Sequence, residues 1–256
     1  MHGRSMRYHS VERVLEDARR LHDEYGVNTL LFEDDLFFAD RQKSIDIING
    51  LAAEGFEIDF SGGLSVSHLY SDKVVEAMKN AGVRVVKLAV ESGCERVLRE
   101  IIKKPYRKLS TVKKVVEKLR AADIFVRAFW VIGNPGETKE EILESLEFYK
   151  KTGFNWVSIM IAAPIAGSDL YNLCKEKNLL INDRIDTFHF GKANIKLDHS
   201  TPKEFERFRY LLNLDTNFVN NWDLKNGNPE KALLGLEDVL SRVPHHAFAC
   251  YYIAEC

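Results

Sequence analysis

Four glycines, Gly26, Gly55, Gly82 and Gly153, each separate a helix-period segment from a short apolar run. Glycine enters the left-handed backbone that ends a helix at little cost. Short apolar runs rich in β-branched and aromatic residues read as strands buried on both faces. The pattern predicts helices over 11–25, 41–53, from 71–72 onward, 111–122, 139–152 and 169–177. It predicts strands over 27–32, 56–60, 83–90, 125–132 and 156–162, and a short helix over 95–102. Helices alternating with strands confine such a chain to parallel βαβ units, and the recurrent glycine joints favour a barrel or part-barrel. Right-handed crossovers put the carboxyl ends of the strands on one face, where α/β folds bind ligands.

Length, charge and cysteine usage narrow the class. A chain of 256 residues suits one large domain, or one with a small appendage. The formal charge of −2 argues against a partner that is nucleic acid or a membrane surface. No apolar run approaches the roughly 20 residues of a membrane span, and no secretory leader is visible. Cys94, Cys174, Cys250 and Cys256 show no C-x-x-C spacing, so free thiols in a cytoplasmic protein are expected.

The stretch 128–138, Ala-Phe-Trp-Val-Ile-Gly-Asn-Pro-Gly-Glu-Thr, shows how one strand ends. Gly133-Asn134-Pro135-Gly136 cannot continue a strand, and Thr138 with Glu141 spells a capping box for the next helix. Other predicted strands also end in polar residues: Glu33-Asp34-Asp35, Ser61 and Glu91-Ser92. Carboxylates there could bind a metal, accept hydrogen bonds from an ammonium or ribose, or transfer protons. They could equally cap helix N-termini.

Four segments, Glu33–Phe37, Leu88–Gly93, Ile101–Pro105 and Val131–Thr138, occur in an order and spacing that resembles the radical S-adenosylmethionine superfamily, in particular the branch that often carries an upstream cobalamin-binding domain. The resemblance covers roughly residues 1–175. It implies an α/β fold, a partial (β/α)6 TIM-like barrel, that binds S-adenosylmethionine beside a 4Fe–4S cluster. In that family the cluster donates an electron, the sulfonium is cleaved, and a 5′-deoxyadenosyl radical abstracts hydrogen. The matching positions imply cofactor-binding roles for several residues. Asp34 or Asp35 would meet the methionyl amino group. Ser61, Glu91 and Ser92 would lie near the methionyl end and ribose. Ile132, Gly133 and Pro135 would run along the adenine, with Glu137 closing that motif. Ala163–Gly167 matches the sixth-strand end, where Ala166-Gly167-Ser168 departs from the usual Pro-Gly-Thr.

The family's three cluster cysteines, spaced C-x-x-x-C-x-x-C, are absent from this sequence. Residues 2–8 resemble the family segment that lies just after those cysteines. The expectation is therefore a barrel truncated before its second strand and inactive alone, with no metal ligands and unknown catalytic residues; cobalamin is possible in a full-length protein. Cys94 is on the right face but alone, and Cys250 and Cys256 are expected to pack within helices. The predicted domains are a barrel over 1–200 and a helical tail over 201–256 that resembles part of a tetratricopeptide repeat, from Gly227 through Ala249. Such a lone repeat should pack on the barrel or on sequence outside the chain. A further strand is expected near 193–197, and a helix over 201–220 opened by Thr201-Pro202-Lys203-Glu204.

Two other functions compete. One is a metal- or acid–base-dependent (β/α)-barrel enzyme using Asp34, Asp35 and Glu91. The other is a non-catalytic module that binds a protein partner through the tail. Trp130, Lys87, Arg127 and His68 are candidate substrate contacts, each weighted toward core packing or solvated surface. The substrate itself does not follow from the sequence.

Overall fold

The computed structural model describes residues 7–34, 36–106, 108–182 and 184–256. The chain runs α1 (Val11–Tyr25), β1 (Thr29–Phe32), α2 (Arg41–Ala53), β2 (Glu57–Phe60), the single turn of α3 (Val66–Leu69), α4 (Asp72–Asn80), β3 (Val85–Glu91), α5 (Leu109–Ala121), β4 (Phe125–Ile132), α6 (Lys139–Thr152), β5 (Trp156–Ile161) and α7 (Asp169–Glu176). The remainder is α8 (Pro202–Leu214), a short α9 (Trp222–Lys225), α10 (Pro229–Arg242) and α11 (Ala247–Glu255). This is the alternation expected of βαβ units. The chain divides into two compact units whose boundaries fall within β3, at the start of α5 and within β4.

Among the described residues, the first unit holds those of 7–89 and 110–127. β1 and β2 pair in parallel, Thr29 opposite Glu57 through Phe32 opposite Phe60. Leu64 bridges Leu88 in parallel, and Phe125 donates its N–H to the Arg84 carbonyl at 2.8 Å. Helix ends follow the sequence signals. Ser10 accepts from Arg13 N–H, and Gly26 closes α1 at φ 68°. The core joins aliphatic side chains, with Ile48, Leu51, Val66, Leu69, Val74, Met78, Val86 and Leu88 fully buried, to the buried rings of Phe38 and Phe60.

The second unit holds residues 90–109 and 128–256. Its strands are the end of β3, most of β4, and β5, in the order β3-β4-β5. Ala162, just past β5, donates to the carbonyl of Ile132 at the end of β4, as parallel neighbours do. Trp130 is fully buried and stacks on Tyr149 of α6, ring centroids 4.8 Å apart. Both expected capping boxes form, Thr138 with Glu141 and Thr201 with Glu204.

Three expectations need correction. The helix over 201–220 has its expected extent but not one winding; it is α-helical to Leu214 and continues as a wide π-turn over Asp215–Val219. That turn brings Asn217 against β5, where its amide accepts from Val157 N–H at 2.8 Å and donates to the Val157 carbonyl at 2.7 Å. An edge strand with free backbone groups is thereby closed by a side chain. No strand forms at 193–197. Ile195 makes a single antiparallel bridge to Leu180, and Leu197 one to Ser200. Order there comes from buried Asn194, which donates to the carbonyls of Ala162, His189 and Lys192 at 2.9–3.1 Å. Finally, Cys250 and Cys256 are exposed rather than packed.

The tail packs on β5. α10 approaches so closely that a Cβ on Gly235 would lie 2.3 Å from the Trp156 ring. Phe218 sits between Trp156 and His246, 5.7 and 5.0 Å away by ring centroids. No helix among the described residues is long and apolar enough to cross a membrane.

Candidate functional site

The predicted site residues fall in both units. In the first unit, Ser61 lies just past β2. Its N–H and hydroxyl both donate to the carbonyl of Phe32 at the end of β1, at 3.0 and 3.2 Å. A cluster of rings, Phe32, Phe37, Phe38 and Phe60, packs at the two strand ends. Asp34 is exposed beyond β1. Asp35 lies outside the described residues. Lys87, inside β3, donates to the Phe60 carbonyl at 2.9 Å, which compensates a charge in a strand. His68 on α3 is half-buried; burial, then the Arg41 charge, holds its imidazolium below the ordinary pKa. Arg127 is half-buried in β4.

In the second unit, the ends of β3 and β4 are joined through α6. Glu91 ends β3 in the left-handed region, φ 72°, a strained conformation for a non-glycine residue. Its carboxylate pairs with Lys104 at 3.3 Å. Ser92 is fully buried. Its hydroxyl accepts from Cys94 N–H at 3.1 Å and lies 3.1 Å from the Ser145 hydroxyl on α6. Gly93 donates to that same Ser145 oxygen at 3.0 Å. A Cβ at Gly93 would come within 2.7 Å of Ser145 Cα, so the approach of this loop to the helix requires glycine.

The β4 turn is closed from inside by Glu137. One carboxylate oxygen, Oε2, accepts from Gly133 N–H at 2.8 Å and Asn134 N–H at 3.1 Å. The other, Oε1, is buried with no partner among the described residues. Burial pushes the Glu137 carboxyl up to about 7, against the pull of those N–H groups. Gly133 is left-handed at φ 80°, with Phe205 of α8 against it. Ile132 is fully buried and Pro135 half-buried.

Arg96 ties the two loops together. Its guanidinium donates to the Gly136 carbonyl at 2.8 Å and grips both oxygens of Glu141. That hydrogen bonding holds the Glu141 carboxyl below its ordinary range. The sequence pattern does not mark Arg96, Lys104 or Ser145 as site residues. Arg96 and Lys104 sit within or beside the four segments that resemble the family, and a charge there was the available signal. Ser145 gives no signal, being one small residue on the inner face of a helix.

The arrangement offers carboxylate and hydroxyl acceptors at two strand ends and, among the described residues, no cluster of iron ligands. Cys94 and Cys174 are buried, with thiols raised by burial. No group of three metal-ligating side chains occurs among the described residues.

Comparison with known proteins places this geometry. The family profile of the radical SAM superfamily matches residues 2–162, more than half of the chain. The chain belongs to the radical SAM superfamily. Its relatives include an uncharacterized methyltransferase of Pyrococcus horikoshii, 30% identical over 80% of this chain and 44% of that protein. Cytidylyl-2-hydroxyethylphosphonate methyltransferase of Streptomyces wedmorensis is 30% identical over 67% of this chain and 33% of that protein. The chain thus spans less than half the length of these curated relatives. Among solved structures, the radical SAM methyltransferase TsrM of Kitasatospora setae, with cobalamin and a 4Fe–4S cluster bound, aligns with TM-score 0.52, 13% identity, and coverage of 59% of this chain and 31% of that one. The cobalamin-dependent radical enzyme OxsB aligns with TM-score 0.51, 18% identity, and coverage of 85% of this chain and 33% of that one. At these identities the likeness is one of fold, and it agrees with the expected α/β barrel class.

The superfamily uses S-adenosylmethionine and a 4Fe–4S cluster, and TsrM and OxsB belong to its cobalamin-using part. The residues present fit the two groups differently. Four cysteines without the family spacing, with no group of three metal-ligating side chains among the described residues, do not fit a cluster. The strand-end carboxylate of Glu91 is the kind of acceptor that an adenosyl ligand uses, and the turn after β4 is held in shape by Glu137, which takes the Gly133 and Asn134 N–H groups.

Proposed function

We propose that this chain forms the adenosyl side of a radical SAM methyltransferase and that, by itself, it neither assembles the cluster nor cleaves S-adenosylmethionine. The observation that carries this is the closed turn at Gly133–Glu137, at the end of β4 and tied through Arg96 to the helix beyond the β3 end, in a chain of this superfamily. S-adenosylmethionine supplies the methyl group or, after reductive cleavage, the 5′-deoxyadenosyl radical. This chain's residues would bind and orient it. Glu91 would accept from its ammonium or hydroxyls, and Ile132 to Pro135 would flank the adenine. Asp34 and Ser61 are assigned to the methionyl side on the family match alone. Two methyltransferases among the relatives, together with cobalamin in TsrM and OxsB, support methyl transfer with cobalamin taking part in the whole enzyme.

Anaerobic reconstitution of the chain with iron and sulfide tests the reading. The expected result is no 4Fe–4S absorption and no 5′-deoxyadenosine or S-adenosylhomocysteine from S-adenosylmethionine. A stable cluster accompanied by cofactor cleavage would overturn the inactivity.

A further inference from the structure

Segment 97–106 is built in an unusual way, and each of its irregularities bears on Glu91. Its helix is wound as a π-turn, Val97–Ile101, a form that recurs at functional positions. Lys103 comes next at φ 60°, left-handed without being glycine. The Lys104 N–H is pinned to the Leu98 carbonyl at 2.9 Å. From there the Lys104 ammonium reaches the Glu91 carboxylate at 3.3 Å, with the two side chains only 21% and 19% exposed. Two residues on, the Tyr106 hydroxyl donates to the Val90 carbonyl at 2.6 Å, one residue before Glu91. Glu91 is itself at φ 72°. Left-handed backbone at a non-glycine residue persists only where its surroundings over-determine it.

We propose that Lys104 is a positioning residue for Glu91. Lys104 and Tyr106 together hold the Glu91 backbone left-handed and its carboxylate at the carboxyl end of β3, ready to accept from the ammonium or hydroxyl groups of an adenosyl ligand. The ligand's identity rests on the reading under Proposed function; the clasp itself does not.

Crystal structures and titrations of the full chain test this. Lys104→Met keeps the stem and removes the charge, and Lys104→Arg restores a charge. In Lys104→Met, Glu91 is expected to leave the left-handed region and its carboxylate to swing away; in Lys104→Arg both stay. A Glu91 that keeps φ near its present value, carboxylate unmoved, in Lys104→Met overturns the proposal. In titrations with S-adenosylhomocysteine, Lys104→Met should bind about fivefold more weakly and Lys104→Arg near the unsubstituted chain. Equal affinity in Lys104→Met also overturns it. If the unsubstituted chain takes up no S-adenosylhomocysteine, the adenosyl reading fails, and the Glu91 backbone angle in Lys104→Met alone decides the role of Lys104.

Discussion

The carboxylate of Glu137 reaches back four residues to accept the N–H of Gly133 at 2.8 Å, and so the turn after β4 is closed by its own last side chain. The motif therefore has a mechanical role whatever it binds. Gly133 is buried, and a buried backbone N–H needs an acceptor. Glu137 supplies the acceptor and leaves its second oxygen buried without a partner among the described residues.

That burial has a pH signature. The Glu137 carboxyl is raised from its ordinary 4.5 to about 7 in the folded chain. A raised carboxyl means that the folded state holds the proton more tightly than the unfolded one. Its contribution is most favourable below pH 4.5 and is lost as pH rises to about 7, by on the order of 2–3 kcal/mol. Glu137→Gln keeps an oxygen acceptor and removes the titration. The midpoint of the variant minus that of the unsubstituted chain should therefore climb by roughly 4–10 °C between pH 4.5 and 7.5. A difference flat with pH would show that the folded carboxyl titrates normally.

Gly93→Ala tests the contact between the β3 loop and α6. The added methyl would meet Ser145 Cα at 2.7 Å and Phe148 Cβ at 2.8 Å. The backbone of α6 cannot yield as a flexible side chain does, so a loss of about 1–3 kcal/mol is expected in urea unfolding. The paired variant Ser145→Gly, which removes the hydroxyl held by Ser92 and Gly93, should also destabilise. A Gly93→Ala chain as stable as the original would mean that the loop has room to shift.

How much of this was legible in the sequence depends on the range of the interaction. The spans of α1, α2, β4 and α6 matched because caps, glycines and apolar periodicity are local signals. Thr138 with Glu141 could be read directly. Ser92 could be placed at a strand end, but not its burial against Ser145, which lies 53 residues away in sequence. The 193–197 segment has the apolar alternation of a strand and yet is ordered by one asparagine side chain, which competes with any ladder. The helix over 201–220 keeps its expected extent but widens to a π-turn after Leu214, where Asn217 bonds to β5. Propensity sees the helix and cannot see the strand edge.

Gly235→Leu asks whether the tail depends on β5. There is no space for a side chain at this point, since a Cβ alone would sit 2.3 Å from Trp156. Leucine must push α10 off the strand. The expected outcome is selective proteolysis within 229–256 under conditions where the rest of the chain resists, together with a shift in tryptophan emission as Trp156 becomes solvated. Uniform resistance along the chain would mean that α10 is held by other contacts.

Asn217 offers a sharper test of how β5 is finished. Its side chain makes both backbone bonds that a neighbouring strand would make to Val157, and it also donates to Asn213 at 2.9 Å. Substitution by alanine leaves a buried N–H and a buried carbonyl on Val157 without partners. Each such group costs about 1–3 kcal/mol, so Asn217→Ala should be among the most destabilising single changes outside the apolar core. Aspartate is the informative control. It retains the acceptor for Val157 N–H but places a charge against the Val157 carbonyl, so it should rescue little. Amide hydrogen exchange at Val157 reads the effect locally. Faster exchange in Asn217→Ala, with protection unchanged at Ile132, would separate fraying of this edge from global unfolding. Unchanged protection at Val157 would show that another group has taken over as acceptor for its N–H.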